Sequence, residues 1–201
     1  MRAEHHRRSI RLRETDYSVP GFYFITICVK NRSCLFGGIS DGVLKLNELG
    51  NIAKRCWGDI PNHYQNVIVD EYIIMPNHIH GILLITDQNN TGVQNIEPLR
   101  QSSNGNVGAQ YFVPTTPGLN QFQHTVSGSI GAIIRGFKIG VTKWWRENGY
   151  EGGLWQRNYY EHIIRNEKSL NQIRQYIHDN PFNWSIDENN PACCAPNKRA
   201  V

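Results

Sequence analysis

His78-Ile79-His80 follows Met75-Pro76-Asn77 and runs directly into the apolar stretch Gly81-Ile82-Leu83-Leu84-Ile85. The stretch predicts a strand, and Pro76-Asn77 predicts the turn that feeds it. Side chains alternate along a strand, so His78 and His80 share a face and Ile79 points the other way. Two imidazoles about 6–7 Å apart along the strand can hold one metal ion between them.

A second polar cluster lies about a hundred residues on. Asn166-Glu167-Lys168-Ser169 opens a helical pattern whose apolar positions Leu170, Ile173 and Ile177 form one stripe. Tyr176 sits beside that stripe, and Asn180 lies one turn further on the same flank. Pro181 makes Asn180 the expected helix end. A phenol and an amide therefore share one helix flank. Tyr159 and Tyr160 are rival tyrosines within the β-prone run 159–165. They point to opposite faces of a strand and have no polar partner one helical turn away, so they read as packing residues.

The rest of the chain predicts strands over 21–29, 43–46, 66–75 and 159–165. Helices are expected from Asn47 to about Gly58 and from Ser127 or Ser129 to about Glu147. Apolar Ile130, Ile133, Ile134, Phe137, Val141, Trp144 and Trp145 mark the buried side of the second helix. Arg135, Lys138, Thr142 and Arg146 mark a flank that can track a DNA backbone. Residues 86–125, rich in Asn, Gln, Gly, Thr and Pro, read as a long loop insert, and 187–201 as a polar disordered tail. Residues 1–186 are expected to form one domain. Strands and helices in this order fit an α+β sandwich.

Length and charge narrow the function classes. At 201 residues the chain is short for a (β/α)₈ metal hydrolase, which takes about 250. No apolar run reaches the roughly 20 residues of a membrane span, and no signal peptide is seen. Five scattered cysteines (Cys28, Cys34, Cys56, Cys193, Cys194) without a Cys-x-x-Cys pair point to a reducing cytoplasm and away from structural zinc. The net charge of +4 resides in residues 1–13, where Arg2, Arg7, Arg8, Arg11 and Arg13 face a single glutamate, Glu4. An arginine-rich arm suits phosphate contact, with Arg7, Arg8, Arg11 and Arg13 as the candidate contacts.

Five segments together resemble the REP-associated tyrosine transposases, in the single-tyrosine HUH class of insertion-sequence transposases. They are Met75-Pro76-Asn77-His78-Ile79-His80-Gly81 and Tyr176-Ile177-His178-Asp179-Asn180-Pro181, with Pro20 to Thr26, Gly131 to Lys138, and Trp155 to Arg165. The resemblance covers most of residues 8–182. It implies a ferredoxin-like antiparallel sheet with helices packed on one face, the His strand central and the Tyr helix laid across it. It further implies that His78, His80 and Asn180 hold Mg²⁺ or Mn²⁺ and that Tyr176 is the nucleophile. The substrate it implies is single-stranded DNA with a hairpin, cut through a 5′-phosphotyrosine intermediate. A homodimer and a cytoplasmic, nucleoid-associated location would fit. His162 and Lys138 are candidate helpers for Tyr176. Two rival readings are a hairpin-binding protein that no longer cuts and a His-dependent phosphodiesterase acting on RNA. The intact set of His78, His80, Tyr176 and Asn180 speaks against the first, and the lack of a second His-x-His motif against the second.

Overall fold

The structure is a computed structural model, and it describes residues 19–87 and 128–191. Arg7, Arg8, Arg11 and Arg13, nearly all of the 86–125 insert, and the chain after 191 lie outside the described residues.

Six strands and four helices are present among the described residues. In chain order they are β1 (Gly21–Cys28), β2 (Gly37–Ser40), β3 (Val43–Leu46), α1 (Glu48–Gly58), α2 (Ile60–His63), β4 (Val67–Ile74), β5 (His78–Ile85), α3 (Ile130–Glu147), β6 (Tyr160–Ile164) and α4 (Glu167–Asp179). Short 3-10 turns follow β1 at Lys30–Arg32 and α4 at Trp184–Ile186. The three long helices begin where short polar side chains can satisfy the first free amides. Asn47 accepts from Gly50 N–H at 2.9 Å, Ser129 from Ala132 N–H at 3.4 Å, and Asn166 from Ser169 N–H at 2.8 Å.

The main sheet has the order β4-β5-β1-β6 and is antiparallel throughout. The β2–β3 hairpin stands apart from it. Without that hairpin and the short α2, the chain runs strand, helix, strand, strand, helix, strand, as in a ferredoxin-like fold. The expected α+β architecture is therefore present, with the His strand β5 in the interior of the sheet.

The helices occupy both faces, where the sequence reading put them on one. Ile79, Leu83 and Ile85 of β5 join Ala53 and Trp57 of α1 and Ile133, Phe137 and Val141 of α3 in one core. Ile82, from the other face of β5, packs with Leu170 and Ile177 of α4 and with Ile164. Each of these aliphatic burials contributes about 1.5–3 kcal/mol. α4 has its own apolar stripe, and the face left open by α1 and α3 is where Leu170 and Ile177 are buried. A register shift in β4 between Val69 and Tyr72 reorients Asp70. Its carboxylate then accepts from Arg174 Nε of α4 at 2.9 Å, fastening that helix to the sheet.

Gly81 serves a close approach. A Cβ there would lie 2.4 Å from the fully buried Trp57 ring, so the strand admits Trp57 beneath it only because this position lacks one. Asp187 to Asn190, expected as tail, are packed: Asn189 and Asn190 are buried, and Asn189 O accepts from Asn77 Nδ2 at 2.6 Å.

Candidate active site

Because β5 is covered on both faces, its two imidazoles are buried, His78 at 0% and His80 at 2% exposure. Both lie on the α4 face, with ring centroids 4.5 Å apart. Register places Thr26 of β1 opposite His80 and Cys28 opposite His78.

Neighbouring oxygens fix how the rings present their nitrogens. Asn77 Nδ2 donates to Arg32 O at 2.8 Å and to Asn189 O, which orients the amide and turns Asn77 Oδ1 toward His78 Nδ1, 2.8 Å away. An amide oxygen only accepts, so His78 carries its proton on Nδ1 and a lone pair on Nε2. That Nε2 is buried without a hydrogen-bond partner. His80 Nδ1 lies 2.9 Å from Thr26 Oγ1 and His80 Nε2 lies 3.2 Å from Tyr176 Oη. Both partners are hydroxyls, which donate or accept, so His80 can take the same tautomer, donating Nδ1–H to Thr26 and accepting from the tyrosine hydroxyl at Nε2. Paired imidazoles held at Nδ1 with Nε2 lone pairs turned to a shared site are what a metal centre uses.

Tyr176 is carried over this pair by α4. Its ring lies 5.2 Å from that of His80 and meets Phe24 edge-on at 6.2 Å. It is 47% exposed, so a substrate can reach the hydroxyl. Asn180 keeps helical geometry at the end of α4 (φ −56°, ψ −41°), which keeps it on the Tyr176 flank. It is buried, and its Oδ1 has no hydrogen-bond partner. Two buried acceptors without donors, His78 Nε2 and Asn180 Oδ1, cost about 1–3 kcal/mol each unless something positive meets them. The donor set is two imidazoles and one amide. Among the described residues no group of three or more His, Cys, Asp or Glu could hold a metal ion, here or elsewhere.

Burial governs the charges. It pushes the His78 pKa down to about 4, against the opposing pull of Asp187, and holds His80 well below the usual imidazole range. Burial also raises the Tyr176 phenol, with Asp187 adding to the rise and Asn180 opposing it. The resting pair is thus a neutral O–H donating to a neutral imidazole. The stability contributed by the neutral His78 is complete above its unfolded pKa of about 6.5 and is lost as pH falls toward about 4. Between pH 6.5 and 5, where most carboxylates stay ionised, the urea unfolding midpoint should therefore drop steadily. A midpoint flat over that range would show the imidazoles to be solvated.

The other residues expected to function are placed as follows. Arg135, Lys138 and Arg146 line one groove of about 650 Å³ on the exposed flank of α3, with Lys143, Asn158 and Tyr159. This groove belongs to the α3 side of the sheet, not the α4 side that carries Tyr176. Lys138 is partly engaged within the fold: its Nζ donates to Asn158 O at 2.7 Å and Gln156 O at 3.2 Å, and burial lowers it to about 8. It helps these carbonyls, not Tyr176. His162 is exposed on the α4 face, opposite Phe24. Tyr159 packs against the α1–α3 core as expected, but Tyr160 is 54% exposed. Three features escaped the sequence reading. Asn77 reads locally as a turn residue, Asp187 falls in the expected tail, and no local pattern predicts the cleft of about 610 Å³ formed by Lys30, Arg32, Trp155 and Arg157. The signal for Asn77 was its place directly before the histidine pair. No helix is long and apolar enough to cross a membrane among the described residues.

No family model matches the chain. A Haemophilus influenzae protein described as an uncharacterized protein is 47% identical over 184 residues, covering 92% of this chain and 93% of its own. A second H. influenzae protein, described as "Putative REP-associated tyrosine transposase", is 24% identical over 166 residues, covering 83% of this chain and 73% of its own. Among solved structures, a REP-associated tyrosine transposase bound to a REP hairpin superposes with a TM-score of 0.53 at 16% identity, over 86% of this chain and 73% of that one. The chain thus belongs to one family with the 47% identical H. influenzae protein, it is similar in sequence to the second, and its fold is similar to that of a REP-associated tyrosine transposase.

Proposed function

We propose that this chain is a DNA-processing transposase that cuts and rejoins single-stranded DNA beside a hairpin, with Tyr176 as nucleophile. The observation that carries this reading is the hydroxyl of Tyr176 held 3.2 Å from His80 Nε2, beside the unpartnered lone pairs of His78 Nε2 and Asn180 Oδ1. His78, His80 and Asn180 would hold Mg²⁺ or Mn²⁺, whose bound form would polarise a phosphate oxygen and favour the phenolate.

Tyr176 Oη attacks the phosphorus, the new P–O bond forms to the tyrosine, and the bond to the 3′ oxygen breaks. A 5′-phosphotyrosine and a free 3′-OH result. Without an ion, His80 Nε2 positions the hydroxyl; a bound ion would take that lone pair in its place. Phe24, stacked on His80 at 5.4 Å, keeps water from the imidazole. The phosphotyrosine conserves the energy of the broken bond, so rejoining needs no nucleotide triphosphate. The arm residues Arg7, Arg8, Arg11 and Arg13 and the groove residues Arg135, Lys138 and Arg146 are proposed as phosphate contacts. β6 is the edge strand next to the groove, so a DNA strand serving both the α3 groove and Tyr176 can cross there.

Incubation with labelled hairpin oligonucleotide carrying an unpaired flank, with Mn²⁺, tests the reading on a denaturing gel. A cut strand and a slow protein-linked band are expected. Tight binding without either would favour the reading as a hairpin-binding protein. Asn77→Ala should weaken metal binding by about 10–100-fold, because His78 loses the partner that sets its tautomer. It should also lower stability by on the order of 3 kcal/mol, since it strands an imidazole N–H and two carbonyls. Calorimetric titration with Mn²⁺ and urea unfolding measure the two effects.

A further inference from the structure

We infer that Tyr160 is a stacking platform for one unpaired nucleobase of the DNA strand, next to the phosphate that Tyr176 attacks. The inference rests on the single-stranded DNA reading above and adds the residue that receives a base. Register puts Tyr160 opposite Thr26, and Thr26 opposite His80, so the three form one row across β6, β1 and β5 on the α4 face. Phe24 joins Tyr160 to the site: it stacks on His80 and meets both Tyr160, at 6.4 Å and 71°, and Tyr176, at 6.2 Å and 84°. Tyr160 and Tyr176 therefore flank one buried-side ring, and each is about half exposed.

Tyr160 and His162 leave the β6 side of this face open, and Tyr160, which meets Phe24 edge-on, keeps about half of its surface free for a base. Its neighbour shows the contrast: Tyr159 points to the other face and is packed into the core. Tyr159 also lines the basic groove on α3, with Arg135 and Arg146. Tyr159, the residue before β6, thus faces the groove, and Tyr160, the first residue of that edge strand, faces the nucleophile. A strand leaving that groove and crossing the β6 edge reaches Tyr160 before it reaches Tyr176. Every base has a π-face, so an aromatic at this point holds the strand whatever its sequence, while the nearby cations hold phosphates. Tyr160 sits on a sheet strand, which fixes its ring more firmly than a loop would.

The test uses hairpin oligonucleotides with an unpaired flank, each with one abasic position, bound in EDTA so that affinity is read without cleavage. Wild type should show one flank position whose base loss weakens binding by about 5- to 150-fold. Tyr160→Leu should bind the intact flank as weakly as wild type binds that abasic strand, and should be insensitive to base loss there. Tyr160→Phe should behave as wild type, because the ring and not the hydroxyl does the holding. The platform is overturned if Tyr160→Leu keeps the wild-type abasic profile while wild type still forms the protein–DNA adduct. It is overturned equally if Tyr160→Phe loses that adduct, which would make Tyr160 a nucleophile. Wild type that neither binds the flank nor forms an adduct would overturn the platform and the underlying reading together.

Discussion

Tyr176→Phe should abolish the covalent protein–DNA adduct while leaving the fold and DNA binding intact. The substitution removes one oxygen. Tyr176 is half exposed and its ring contacts to Phe24 and His80 survive in phenylalanine, so the packing of α4 is unchanged. The lost hydroxyl leaves His80 Nε2 without its hydrogen-bond partner, at a cost of about 1 kcal/mol in the metal-free protein. Catalysis behaves differently, because no other oxygen of the chain replaces the nucleophile. Strand cleavage should fall to background on a denaturing gel, with gel-shift affinity within about twofold of wild type. Retention of the adduct in this variant would reject Tyr176.

His78→Ala or His80→Ala should remove both divalent-cation binding and cleavage. A site with two imidazoles and a neutral amide has little to spare, and a single imidazole with an amide is a weak chelate. EDTA should stop cleavage in wild type, and Mg²⁺ or Mn²⁺ should restore it. Asn180→Ala should be milder, since water can take the place of an amide oxygen. The ordering matters more than any single value: the histidine variants should be inactive at every metal concentration, whereas Asn180→Ala should recover as Mn²⁺ is raised. Wild type cutting at full rate in EDTA would remove the metal from the account. The histidine variants also separate chemistry from stability. Each leaves a cavity and frees a buried acceptor or donor, so their folding should be checked by urea unfolding before loss of activity is assigned to the site.

Much of this arrangement was legible because it depends on short-range periodicity. Alternation along 78–85 placed both imidazoles on one face, and the spacing of Leu170, Ile173 and Ile177 defined the α4 stripe and with it the flank of Tyr176 and Asn180. The caps Asn47, Ser129 and Asn166 were readable because a helix start needs a side-chain acceptor at a fixed offset. What stayed hidden depends on three-dimensional assignment. Periodicity shows that α4 has an apolar stripe but not which face of the sheet receives it. Alternation shows that Tyr159 and Tyr160 point apart but not that β6 is an edge strand, so no local pattern predicts Tyr160 in solvent. Lys138 shares a flank with Arg135 and Arg146, yet only tertiary structure brings the carbonyls of Gln156 and Asn158 to its ammonium. The side chain of Asn77 binds partners 45 and 112 residues away, beyond any local pattern.

The chemistry is tested most directly by locating the covalent bond. Wild type is incubated with Mn²⁺ and a hairpin oligonucleotide whose flank carries the cleavable phosphate, the adduct is digested, and the nucleotide-bearing peptide is sequenced by mass spectrometry. A nucleotide joined through its 5′ phosphate to Tyr176 is the expected result. A nucleotide on Tyr159, Tyr160 or any other residue, or cleavage with no protein-linked nucleotide at all, would contradict the mechanism.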